Sequence, residues 1–210
     1  VDLGTGNIVF DDDTPSITPT TAVSGSFSLN TDDKFAVASS AGDTDTASFA
    51  TAFENAASAD ALFGADSADA SAAGGVNPSV VVDNYVFNLG GAGSNVDSGL
   101  TSAGEAILLN VNSAGTQVTG STSGGTTVFT LDVTSNGTGK GDVELTQLAQ
   151  LDHLPQATNN TQIALALAAD LLTLQATATV TDADRDTDTT TYSVDLGTGN
   201  IVFDDDTPSI

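Results

Sequence analysis

The segment VDLGTGNIVFDDDTPSI occupies Val1 to Ile17 and returns unchanged at Val194 to Ile210, so its two copies start 193 positions apart. Identity over such a stretch marks a tandem array. Familiar solenoid periods run to only about 20–50 residues and belong to units that cannot fold alone. This period instead suits a domain with its own hydrophobic core. The expected organisation is beads on a string: 1–13 as the tail of a preceding repeat with its junction, 14–206 as one complete repeat, and 207–210 as the start of the next. The chain has no Met and is expected to be an internal piece whose export signal lies elsewhere.

Charge narrows the partners. Acidic residues outnumber basic ones 28 to 3, for a net charge of −25, which excludes the basic footprint needed for nucleic acid or an anionic membrane. The implied partner is a cation. Only Glu54, Glu105 and Glu144 among the acids are Glu, leaving 25 Asp. Asp favours turns and short chelating loops, whereas Glu favours helices. There is no Cys, so neither disulfides nor thiolate metal sites can rigidify the module. No apolar run has the length of a membrane span, so no membrane insertion is expected.

Alternation supplies the fold class. In Leu172 to Thr181, Leu172, Leu174, Ala176, Ala178 and Val180 alternate with Thr or Gln, the pattern of a half-buried strand. The same parity resumes at Tyr192, Val194 and Leu196, which predicts a β-hairpin whose connecting loop is the acidic stretch between them. Shorter period-2 runs occur at Tyr85–Leu89, Ile107–Val111, Phe129–Val133 and Val143–Leu145. Turn signals at Gly90–Asn95, Gly120–Gly125 and Asn136–Gly141 separate them. An all-β, Ig-like β-sandwich with minor short helices is expected. The helix candidates are Ala47–Phe63, with Phe49 and Phe53 one turn apart, and the Ala- and Leu-rich Thr161–Leu171, with an irregular loop packed on the sandwich as the alternative for each.

Two Asp clusters are the candidate metal ligands. Asp11, Asp12 and Asp13, repeated as Asp204, Asp205 and Asp206, follow a strand-like NIVF and precede Thr-Pro, where one bead ends and the next begins. Three adjacent carboxylates repel unless a cation or full hydration compensates. A hard divalent ion there would stiffen the junction. The second cluster is Asp182, Asp184, Asp186 and Asp188 in TDADRDTDTT, whose alternate carboxylates can converge from a hairpin end. It is not an EF-hand, because Thr187 and Ser193 stand where that loop needs Gly and Glu. Asp32, Asp33, Asp43 and Asp45 are weaker candidates, with solvated loop residues as the default reading.

Catalysis has little support, and no enzyme is expected. The one imidazole, His153 in LDHLP, lies beside Asp152, is expected to have no metal-ligand partner and reads as a structural His hydrogen-bonded in a turn. No nucleophile motif is present. With no Trp and only Tyr85 and Tyr192, there is little aromatic surface for a sugar platform.

Specific segments carry a family resemblance: GADSADA before the Asn84–Leu89 strand, then NVDSGLTSAGEAILL, VFTLDV, GDVELTQ, LDH, LLTLQATATVTDADRDT and the NIVFDDDTPSI exit. In this order they resemble the tandem extender modules of giant RTX-type adhesins exported by type I secretion, repeats of the T1SS-143 or DUF5801 kind. The resemblance covers most of the chain from about residue 60 onward. It implies calcium at the TDADGD-like hairpin and the acidic exit, and so points to Asp182, Asp184, Asp186 and both Asp triplets. Arg185 stands where that pattern has Gly. The expectation is a monomeric, calcium-stabilised extender at the bacterial cell surface, outer-membrane-anchored or secreted, partnered by calcium ions and the neighbouring repeats of its own chain. The alternative is an adhesive module that itself binds a glycan or protein.

Overall fold

In a computed structural model, residues 13–33, 42–64, 77–91, 93–153 and 162–205 are described. They form fourteen strands and an α-helix, α1 (Ala50–Asp60), gathered around one continuous hydrophobic cluster. The all-β, sandwich-like architecture expected from the alternation is present.

The largest sheet is built around a meander. β6 (Ser94–Ser102), β7 (Glu105–Val111), β8 (Gln117–Thr122), β9 (Thr127–Val133) and β10 (Asp142–Gln147) follow one another antiparallel. β3 (Asp43–Ser48) completes the order β3-β10-β9-β8-β7-β6. Alternation decides which side faces in: Phe129, Leu131, Val133, Val143 and Leu145 are buried, while Glu144 faces out. A second sheet has the order β13-β12-β5, from β5 (Ser79–Leu89), β12 (Leu172–Thr181) and β13 (Thr187–Asp195). Its β12–β13 pair is the hairpin expected from the resumed parity, with Ala176 opposite Tyr192 and Thr181 opposite Thr187.

A third sheet contains the exit strand. β14 (Thr198–Asp204) lies between β11 (Gln162–Ala166) and β2 (Leu29–Asp32). The β14–β2 pair is parallel, with Phe203 opposite Thr31 and Asp204 opposite Asp32. Two residues of β1 (Ser16–Ile17) pair with β4 (Ala61–Leu62). Phe203 and Phe129, both fully buried, meet with ring centroids 5.1 Å apart and so join the exit strand to the meander.

Helix α1 occupies the first helix candidate. Its Ala-rich sequence suits a helix, and Phe53 packs edge-on to Tyr85 at 5.3 Å. Asp60, at its C-terminal end, would oppose the helix dipole. Its carboxylate instead accepts from the backbone N–H and hydroxyl of both Thr20 and Thr21, and from the Tyr192 hydroxyl.

The second helix candidate is a correction: Thr161–Leu171 contains the strand β11, not a helix. Pairing with β14, Ile163 opposite Phe203, supplies its backbone partners, and tertiary pairing overrides the helical preference of Ala and Leu. Strand β6 starts inside the stretch read as the Gly90–Asn95 turn, and β8 runs through Gly120 to Thr122. Gly120 is in that strand for a packing reason, since a Cβ there would stand 2.6 Å from the Phe129 ring it faces.

Candidate metal centres

The hairpin end brings together three of the four acids expected there. Asp182 follows β12, and the loop closes through the Asp182 N–H on the Asp186 carbonyl at 3.1 Å. The Asp186 N–H donates back to Asp182 Oδ1 at 2.8 Å, the local turn to which Asp side chains are suited. One ligand atom each from Asp182, Asp184 and Asp186 lie within 4.8 Å of one another. Asp182 is fully buried, and its Oδ2 has no hydrogen-bond partner among the described residues. Burial first, and Asp184 next, push its carboxyl above the ordinary carboxylate range. A hard cation fits this donor set: three carboxylates, all oxygen, one of them buried with an orphaned atom.

Asp188 stands apart from that trio. It lies in β13 opposite Val180, and its Oδ2 accepts from the Ile17 N–H at 2.9 Å, tying β1 to the hairpin. Arg185 adopts a φ of 86°, the left-handed region where Gly is favoured. A Gly would adopt that φ without the strain that a side chain brings.

The exit acids face different partners. Asp204, still in β14, accepts from Asn30 Nδ2 at 2.8 Å through Oδ2, while its buried Oδ1 has no partner among the described residues. Asp205, the next residue, has a carboxylate oxygen within 4.8 Å of ligand atoms of Asp33 and His153. In the first triplet, Asp13 is exposed and its carboxylate lies against Gly64. Asp11, Asp12 and Asp206 lie outside the described residues.

Asp33 and His153 are the members of this second cluster that sequence reasoning did not join. Parallel pairing of Asp204 with Asp32 places the next residue of each strand side by side. His153 arrives on the loop after β10, which Asp152 pins by accepting the N–H groups of Ala103 and Gly104. Asp33 and His153 are only 2% and 6% exposed. His153 Nε2 stands 3.3 Å from Asp33 Oδ2, an ion-pair distance, yet among the described residues neither ring nitrogen makes a directed hydrogen bond, in a turn or elsewhere. Burial pushes the Asp33 carboxyl up to about 6, against the lowering effects of the Leu151 N–H, His153 and the Gln147 amide.

Asp43 and Asp45 lie on the edge strand β3, not in loops. They accept the N–H groups of Asp32 and Asn30, each at 2.8 Å. Their period-2 spacing matches that of the N–H groups, so they cap donors that an edge strand leaves unpaired.

Fold and sites together define an all-β module whose described residues include two compact clusters of side chains able to ligate a metal ion. A family model described as a domain of unknown function, DUF5801, matches residues 8–197, and the chain belongs to that family. No curated protein and no solved structure matches it.

Proposed function

We propose that the chain is a calcium-stabilised structural repeat: an extender bead of a large bacterial surface adhesin, multiplied to hold a distal binding region away from the cell. The observation that carries this reading is the hairpin trio, with its buried Asp182 oxygen that no donor among the described residues satisfies. Ligand atoms within 4.8 Å of one another suit an ion that takes oxygens at about 2.3–2.6 Å. Calcium, when bound, supplies charge neutralisation and geometry. The identical ends support a spacer over a tip or an enzyme, since spacers are the parts that are multiplied.

The physical basis is linkage. An ion that binds only the folded form stabilises it by about 2.7 kcal/mol at 100 times its Kd. At roughly 2–4 °C per kcal/mol for a chain of this size, that is about 5–11 °C in Tm. Low cytoplasmic calcium leaves the bead loosely held for export, and external calcium then fixes it. Thermal melts in excess chelator and in millimolar calcium test the reading, together with solution scattering from a two-bead tandem. Calcium is expected to raise Tm by that amount and to lengthen the tandem. Equal transition temperatures in the two conditions would sink the proposal.

A further inference from the structure

We infer that Asp33, His153 and Asp205 form a second metal site, which takes a divalent first-row transition ion of the zinc type and staples the exit strand to the body of the bead. The site shares no residue with the hairpin trio and does not depend on the calcium reading. Its three ligand atoms lie within 4.8 Å of one another and come from three distant segments: the end of β2, the end of β14 and the loop after β10.

Burial and donor chemistry select the ligand. His153 is 6% exposed, and among the described residues neither of its ring nitrogens has a hydrogen-bond partner, a costly state for a buried polar group. Its Nε2 faces Asp33 Oδ2 at 3.3 Å. Asp33 Oδ1 is already engaged by the Gln147 amide and the Leu151 N–H, which orients the carboxylate and leaves Oδ2 for an ion. Such outer contacts are typical of metal ligands.

Donor type points the same way. Calcium is bound through oxygen, while a mixed imidazole and carboxylate set suits zinc and its neighbours. Asp205 is the first residue beyond β14, so the ion fixes the chain at its departure toward the next bead.

The test uses the full chain, saturated with calcium so that the hairpin is filled, with its single histidine isotopically labelled. One equivalent of zinc is expected to move the His153 ring resonances to those of a metal-bound imidazole, with Nε2 as the ligand. Asp205→Asn and His153→Gln are expected to weaken zinc binding by roughly tenfold or more, the scale seen when metal-site contacts are lost. Asp182→Asn should leave it unchanged. Imidazole resonances unmoved by zinc in the unmutated chain would overturn the inference, whatever the variants' folding. So would undiminished zinc affinity in His153→Gln, or the same resonance shift produced by calcium alone.

Discussion

Truncating Phe203 to Ala asks whether the repeated exit segment is a working part of the bead. Phe203 is fully buried on β14, between β11 and β2, with its ring 5.1 Å from that of Phe129 in the six-stranded sheet. Phe→Ala at such a position costs about 3–5 kcal/mol. About 0.5–1.5 kcal/mol of that belongs to the ring pair beyond its area. The expected fall in Tm is roughly 6–20 °C. Typical domain stability is about 5–15 kcal/mol, so the variant should still fold. Urea unfolding in saturating calcium, followed by circular dichroism because the chain lacks Trp, measures the loss. A cycle with Phe129→Leu isolates the ring pair. A loss under about 1 kcal/mol with an unchanged m-value would mean that β14 is a detachable tail, and the reasoning that anchors Asp205 through it would fail.

Four further outcomes follow from individual residues. Asp182→Asn keeps an acceptor for the Asp186 N–H but removes a ligand and a repelling charge, so it should lower Tm in calcium and raise it in excess chelator; calorimetry giving one sign in both conditions refutes this. Arg185→Gly relieves a φ of 86° and should stabilise the chain by about 1 kcal/mol, read by denaturant titration in chelator; a loss of stability would count against it. Gly120→Ala drives a methyl to 2.6 Å from the Phe129 ring and should cost about 1–3 kcal/mol, partly recovered by adding Phe129→Leu. The Thr20 hydroxyl, with the Thr21 N–H next, holds the Asp60 carboxyl well below its ordinary value of 3.8. A depressed folded pKa gives stability that is present above that ordinary value and lost as pH falls below it, so Asp60→Asn should flatten this part of the acid limb; an unchanged acid profile refutes it.

Much of the fold is legible wherever one face of a strand is continuously apolar. β5, β7, β9, β10 and the β12–β13 hairpin all declare themselves through alternation. Strands that escaped notice lack that face: β3 reads DTDTAS with no buried residue, and β8 has Val118 as its single large apolar side chain. β6 buries Ser98 and Ser102 beside Leu100, with the Ser98 hydroxyl donating to the Ile107 carbonyl. Their strand character comes from the neighbours they pair with. β11 shows the same effect, since its Ala and Leu favour a helix until β14 offers a ladder.

The two proposed metal sites divide along the same line. Asp182, Asp184 and Asp186 fall within one short loop, so their convergence follows from local spacing at a hairpin end. Asp33, His153 and Asp205 are far apart in the chain, and only the parallel register of β2 with β14 brings two of them together. Repetition, β alternation and the excess of Asp were therefore determined by the sequence alone, because each is a local or compositional property. Which carboxylates share a site, and that the lone His faces two of them, was decided by tertiary structure. Strand register is set by the packing of a whole core around Phe203 and Phe129, and no short stretch of sequence contains it.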